Sequence, residues 1–201
     1  MILVTGTTGQ LGYDVIRELE RRGEDFLGTT RAELDLSNPD AAKNFILDKK
    51  PDAVIHCAAY TAVDKAESEA ELALTVNGLS TRRIAEACRE INAKMIYLST
   101  DYVFGGDSHI PYETGDEKNP VNVYGRSKLL GEDSVIAVLK NYFIVRISWV
   151  FGVNGKNFVK TMLNLADKHK KLRVVNDQVG SPTLLLKLNY YLKEDIILNV
   201  M

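Results

Sequence analysis

Six short apolar runs recur along the chain, at Ile2 to Val4, Asp25 to Gly28, Ala53 to Cys57, Met95 to Leu98, Phe143 to Ile147 and Leu172 to Val175, with helix-patterned stretches between them. Runs of this length are strand-sized, and their lack of strict polar alternation predicts strands buried on both faces. Strand and helix in alternation leave few ways to bury both faces; the expected fold is α/β, a doubly wound parallel sheet with helices on either side.

The punctuation between the runs places the helices. Leu11 to Arg22 closes at Gly23, and Asp40 to Lys49 follows a capping Asn38 and a first-turn Pro39. From Asp64 to Ile91 the helical pattern is interrupted at Gly78, which predicts two consecutive helices or one kinked helix. Gly105 to Pro120, rich in Gly, Pro, Asp and Asn, reads as a long loop of the kind that usually serves function. A chain of 201 residues fits one domain, or one domain and a fragment of a second. With 45% apolar residues, 26% charged residues and a net charge of −2, it reads as a soluble globular protein, with no electrostatic footing for nucleic acid and no membrane segment. Met1 to Val4 turns polar at Thr5 without a charged leader or long apolar stretch, so a cytoplasmic protein is expected. Cys57 and Cys88 form no Cys-x-x-Cys pair and are expected as buried free thiols; His56, His109 and His169 do not cluster, so no metal site is expected from them.

Thr5-Gly6-Thr7-Thr8-Gly9-Gln10-Leu11-Gly12 stands immediately after the first strand and opens the first helix. In that position Gly6 permits a tight turn, Gly9 lets backbone approach a pyrophosphate, and Gly12 lets the helix pack on the strand, with Thr8, Gln10 and Leu11 around the anion. The expected fold is therefore Rossmann-like, and the expected cofactor a nicotinamide dinucleotide. After the second strand the chain reads Thr29-Thr30-Arg31 where an acid would select a free 2′-hydroxyl, so Arg31 tilts the choice from NADH toward NADPH. Asp35 and Leu36, then Ala58, Ala59 and Tyr60 at the end of the third run, fit adenine and ribose contacts.

Tyr124 and Lys128 stand four residues apart, on one face of a helix. Reducing a ketone by hydride requires a proton for the developing alkoxide; Tyr124 could supply it, with the Lys128 ammonium lowering its pKa and holding the nicotinamide ribose. Thr100 ends the fourth strand, at the sheet edge where open α/β folds place ligands, and its hydroxyl could polarise the carbonyl. Thr100, Tyr124 and Lys128 occur in the order of the short-chain dehydrogenase/reductase triad.

The runs Thr61 to Glu67, Ser99 to Phe104, Asn122 to Gly125, Arg146 to Val150, Asn157 to Met162 and Asp177 to Thr183 make the chain resemble the dTDP-4-dehydrorhamnose reductase family from Met1 to Thr183. The resemblance implies NAD(P)H-dependent reduction of the C4 ketone of dTDP-4-dehydrorhamnose to dTDP-rhamnose, with Tyr124 as proton donor and Thr61, Val63, Thr100, Asp101, Tyr102, Tyr124 and Trp149 facing the sugar nucleotide. It also implies, for some relatives, a Mg ion and a homodimer. Sugar-nucleotide 4,6-dehydratases carry an acidic pair after the threonine, where this chain has Asp101-Tyr102; an epimerase is a further alternative. So is a non-catalytic dinucleotide-binding module like the regulatory β subunit of methionine adenosyltransferase. Residues 1–183 are expected as the catalytic domain. Residues 184–201 match nothing in the family and are expected as a divergent tail, from a shifted reading frame, in place of most of the small substrate lobe; a helix or a sticky patch is expected of them.

Overall fold

The computed structural model describes residues 1–185. Five parallel strands, β1 (Ile2–Thr5), β2 (Phe26–Thr29), β3 (Ala53–His56), β4 (Lys94–Thr100) and β5 (Tyr142–Ile147), form one sheet in the order β2-β1-β3-β4-β5. Thr5 lies level with Thr29 and His56, and Thr100 with Ile147, so the carboxyl ends of the strands share one edge. The chain leaves β1 toward β2 on one side and returns to β3 on the other. That reversal opens a crevice above the carboxyl ends, where folds of this kind bind their ligands.

Side chains alternate across a strand, and here both sets are apolar. Ile2, Val4, Ile55, Ile96 and Leu98 meet Leu11, Val15 and Leu19 of α1 (Gln10–Arg22). The opposite face carries Leu3, Val54, Met95 and Tyr97. It is covered by α2 (Pro39–Lys49) and, after the short α3 (Val63–Ala66) and α4 (Ala70–Leu74), by α5 (Ser80–Glu90) and α6 (Val123–Val138). Helices on both faces explain why the strands read as continuous apolar runs. The helix ends follow the punctuation. Gly23 closes α1 with a left-handed φ of 70° and its N–H bonded to the Leu19 and Glu20 carbonyls, and Asn38 accepts the Ala41 N–H at 3.1 Å ahead of Pro39.

One expectation is met in modified form and one needs correction. The helical stretch from 64 to 91 is interrupted at Gly78, by a π turn, Thr75–Leu79, that joins α4 directly to α5, and it breaks a second time between α3 and α4. A Cβ on Gly78 would stand 2.4 Å from Leu130 Cδ2, so the glycine is there to let α6 lie against the turn. Leu172 to Val175 is not a strand: Leu172, Val174 and Val175 are exposed, and a β-prone run without a neighbouring strand has nothing to pair with. Instead β6 (Val150–Phe151) and β7 (Thr183–Leu184) form a separate parallel pair flanking α7 (Phe158–Ala166). Leu185 is fully buried in the apolar cluster shared with α1. The helix or patch expected of the rest of the tail lies outside the described residues. Among the described residues no helix is long and apolar enough to cross a membrane.

Candidate active site

The glycine loop sits at the mouth of the crevice. A Cβ on Gly6, whose φ is 72°, would meet Ala58 Cα at 2.7 Å, and one on Gly12 would meet the Gly6 carbonyl oxygen at 2.3 Å, so neither position accepts a side chain without moving backbone. The loop is closed by Gly9 N–H to Gly6 O at 3.0 Å, and its first leg is held by Thr7 N–H to Thr29 O at 3.1 Å. No side chain caps α1, in contrast to α2, α6 and α7, each capped by an asparagine. The result is a cradle of backbone with helix amides at its base, and it fits the pyrophosphate of a dinucleotide. Thr8 and Gly9 are exposed, Gln10 is half-buried, and Leu11 and Gly12 are buried.

Beneath this cradle runs a buried hydrogen-bond chain that the sequence did not announce. Ala58 N–H donates to Thr5 Oγ1 at 3.0 Å, leaving the Thr5 hydroxyl proton for His56 Nδ1 at 2.8 Å. On the other side of the ring Thr81 Oγ1 gives its proton to Asn77 O at 2.7 Å, so His56 Nε2 must carry the hydrogen toward Thr81, 3.3 Å away. The ring is thus a neutral Nε2–H tautomer, in keeping with a pKa lowered to about 3, chiefly by burial and secondarily by Lys128. The Asn77 side chain continues the chain: it accepts from Tyr60 N–H at 2.8 Å and donates to Tyr60 O at 3.0 Å and Ser127 Oγ at 2.9 Å. Ser127 Oγ in turn donates to Tyr124 O at 2.7 Å. Asn77 lies in an apolar helical run and Thr5 in a strand; only the unusual depth of polar residues there could have signalled them.

At the far end of the crevice Thr100, Tyr124 and Asp101 converge. Thr100 Oγ1 donates to Asp101 Oδ1 at 3.0 Å and caps the short 3-10 turn Asp101–Val103 by accepting from Tyr102 N–H at 3.3 Å. Asn122 caps α6 through Gly125 N–H at 2.7 Å, fixing the first turn that carries Tyr124, with Lys128 one turn further on. The Tyr124 ring meets Tyr102 edge-on at 5.5 Å. Burial pushes the Tyr124 phenol up to about 12; the Thr100 hydroxyl works against that, and Asp101 and Tyr102 add to it. Burial likewise raises the Asp101 carboxyl.

Lys128 is buried, with Nζ donating to Leu98 O at 2.7 Å and standing 4.1 Å from the centre of the Tyr97 ring. Burial lowers its pKa to about 7, while Glu132, one turn further along α6, favours the charged form. The expectation that Lys128 depresses the Tyr124 pKa is corrected here. The ammonium spends its contacts on a carbonyl and a ring face, and desolvation governs the phenol. Glu132 is itself fully buried and bound through both oxygens to Arg146, at 2.8 Å each, a buried pair at the back of the site that sequence reasoning missed.

The other expected residues fall around this line. Ala58, Ala59 and Tyr60 continue from β3 beside Gly6, and the Tyr60 phenol donates to Glu69 at 2.8 Å. Leu36 is buried at the α2 side; Asp35 is exposed, accepts from Ser37 N–H at 3.0 Å, and lies 3.6 Å from an Arg31 whose side chain is 79% exposed. Thr61 is exposed and Val63 half-buried at the start of α3. Tyr102 and Trp149 are exposed aromatics at the ends of β4 and β5. A hollow of about 430 Å³ lined by Ser37, Glu69, Leu72 and Thr75, among others, includes the partners of Asp35 and Tyr60 but none of the expected site residues themselves. Among the described residues no three His, Cys, Asp or Glu side chains group to hold a metal. Cys57 and Cys88 are free thiols, both pushed up to about 12 by burial.

Residues 1–196 match the family described as RmlD substrate binding domain, so most of the stretch from 184 to 201, expected to match nothing in the family, lies within the match. The chain is 44% identical over 184 residues to a dTDP-4-dehydrorhamnose reductase of Mycolicibacterium smegmatis, covering 90% of this chain and 56% of that one. The solved dTDP-4-dehydrorhamnose reductase of Clostridium acetobutylicum superposes with a TM-score of 0.94 at 41% identity, covering 99% of this chain and 70% of that one. The Bacillus anthracis dTDP-4-dehydrorhamnose reductase, solved in complex with NADP, gives a TM-score of 0.94 at 40% identity, covering 100% and 71%. The chain spans 56% to 64% of the length of the first curated relatives it matches.

Proposed function

The chain belongs to the RmlD, or dTDP-4-dehydrorhamnose reductase, family, and from that premise we propose that it carries the catalytic half of an NADPH-dependent reductase acting on the C4 ketone of dTDP-4-dehydrorhamnose. When bound, NADPH supplies the hydride. Gly6, Gly9 and Gly12 with the uncapped amides of α1 would hold its pyrophosphate, Arg31 and Asp35 its adenosine, and Ala58, Ala59 and Tyr60 would floor the path to Tyr124. Residues 1–183 form the unit that does this in the proposal.

The observation that carries the reading is the pairing of that cradle with Thr100 and Tyr124 on one sheet edge. Thr100 would meet the ketone oxygen, and Tyr124 would pass its phenolic proton to that oxygen as negative charge develops. A phenol held near 12 keeps its proton at neutral pH. An alkoxide is a far stronger base, so transfer runs downhill in the direction of reduction. Lys128, anchored on Leu98 O, would hold ribose and back the site with partial charge. Asp101 and Tyr102 would bond sugar hydroxyls, Trp149 would offer an apolar plane to the deoxysugar, and Thr61 and Val63 would line the approach. The free thiols suit a reducing compartment, and the proposal places the protein in the cytoplasm.

The test is oxidation of NADPH and NADH with dTDP-4-keto-6-deoxy-L-mannose, followed in the full chain and in Tyr124→Phe. The expected result is NADPH-dependent turnover that falls about 10²- to 10⁴-fold in the variant. Turnover that the variant retains overturns the role of Tyr124, and NADPH binding without any turnover overturns the reductase reading in favour of a binding module.

A further inference from the structure

We propose that Gly180 is a positioning residue for Trp149, setting the angle at which the indole faces the sugar nucleotide. The proposal rests on the reductase reading for the identity of the ligand, and on geometry alone for the orientation of the ring. Trp149 follows β5 with a φ of 45°, a left-handed backbone that a bulky side chain rarely adopts. Such a conformation persists only where the surroundings hold it. Here they are visible: Ser148 Oγ donates to Ser181 O at 2.7 Å, Thr183 N–H donates to Ser148 O at 3.1 Å, and Ser148 N–H reaches Thr183 Oγ1 at 3.4 Å. These bonds lay residues 180 to 183 directly along Ser148 and Trp149.

Gly180 then falls beneath the indole. A Cβ on it would stand 3.0 Å from Trp149 Cε2 and 3.1 Å from Cζ2, closer than side chains normally pack, so the ring rests on bare backbone. The residue still exposes 46% of its surface. One part of the indole is therefore seated and the remainder presented, and the seat exists only because position 180 has no side chain. An apolar plane fixed in this way suits the face of a deoxysugar, whose stacking depends on the tilt of its partner.

Trp149 is the single tryptophan of the chain, so emission excited at the red edge of its absorption, beyond that of the tyrosines, reports on it alone. The experiment compares the full chain with Gly180→Ala and Ser148→Ala. Emission and acrylamide quenching are measured without ligand, then dTDP-rhamnose is titrated by Trp149 quenching and NADPH by its own fluorescence. Gly180→Ala is expected to shift the emission, raise the quenching constant and weaken dTDP-rhamnose binding about tenfold with NADPH affinity unchanged. Ser148→Ala is expected to move the same observables in the same direction by less, and it carries the test should Gly180→Ala not fold. Emission, quenching and dTDP-rhamnose affinity all unchanged in both variants overturn the proposal. If dTDP-rhamnose leaves the parent emission untouched while Gly180→Ala still shifts it, the ligand reading fails and the seating of the indole stands.

Discussion

Replacing His56 by glutamine should remove one whole proton from the acid unfolding of this protein. The folded ring is held neutral with a pKa of about 3, against an ordinary value of 6.5, because it is buried between Thr5 and Thr81 and faces the Lys128 cation. The folded value lies below the unfolded one, so between the two the unfolded chain binds the extra proton. Stability therefore rises with pH across that window and is lost as pH falls. One proton is worth about 1.36 kcal/mol per pH unit; taken from pH 7 to 4.5, the linkage removes about 2 to 3 kcal/mol. The magnitude depends on the unfolded pKa alone once the folded value lies well below the working pH. The assay is urea unfolding at a series of pH values from 7 to 4.5. Glutamine will cost stability at pH 7 by disturbing the bonds to Thr5 and Thr81, but the readout is the slope: the parent should lose about 2 to 3 kcal/mol more than the variant over this range. Parallel curves for the two proteins would refute the neutral buried ring.

Two further substitutions address the cradle and the back of the site. Gly12→Ala should weaken NADPH binding at least about tenfold by forcing the Gly6 carbonyl aside, read by nicotinamide fluorescence, since backbone within 2.3 Å of the new Cβ cannot yield as a side chain would. Glu132→Ala should lower the urea midpoint by an amount equivalent to about 3 kcal/mol, because it leaves Arg146 without its buried partner; an unchanged midpoint would show that water reaches the guanidinium.

What could be read from the residues was what burial on both faces imposes. β1 to β5 are continuous apolar runs because helices cover both sides, and the order of glycines at 6, 9 and 12 has meaning only just after a strand. Leu172 to Val175 has the same local character, yet its state is decided by whether a strand lies beside it, which no local pattern encodes. The Tyr124 and Lys128 spacing placed both on one helix face. The direction of the ammonium depends on Leu98 and Tyr97, about thirty residues away in sequence, and the helical spacing is silent on it. Asn77 and His56 were illegible for a related reason: each is a polar residue in an apolar run, and its partners are assembled only by the turn of the chain around β1.

The bonds from Thr5 through His56, Thr81 and Asn77 to Ser127 give this architecture a mechanical property. They run unbroken through the interior from Ala58, beside the glycine loop, to the backbone carbonyl of Tyr124. Losing any one of these bonds would leave a buried polar group without its partner, so Thr5, His56, Asn77 and Ser127 are constrained as a set rather than singly.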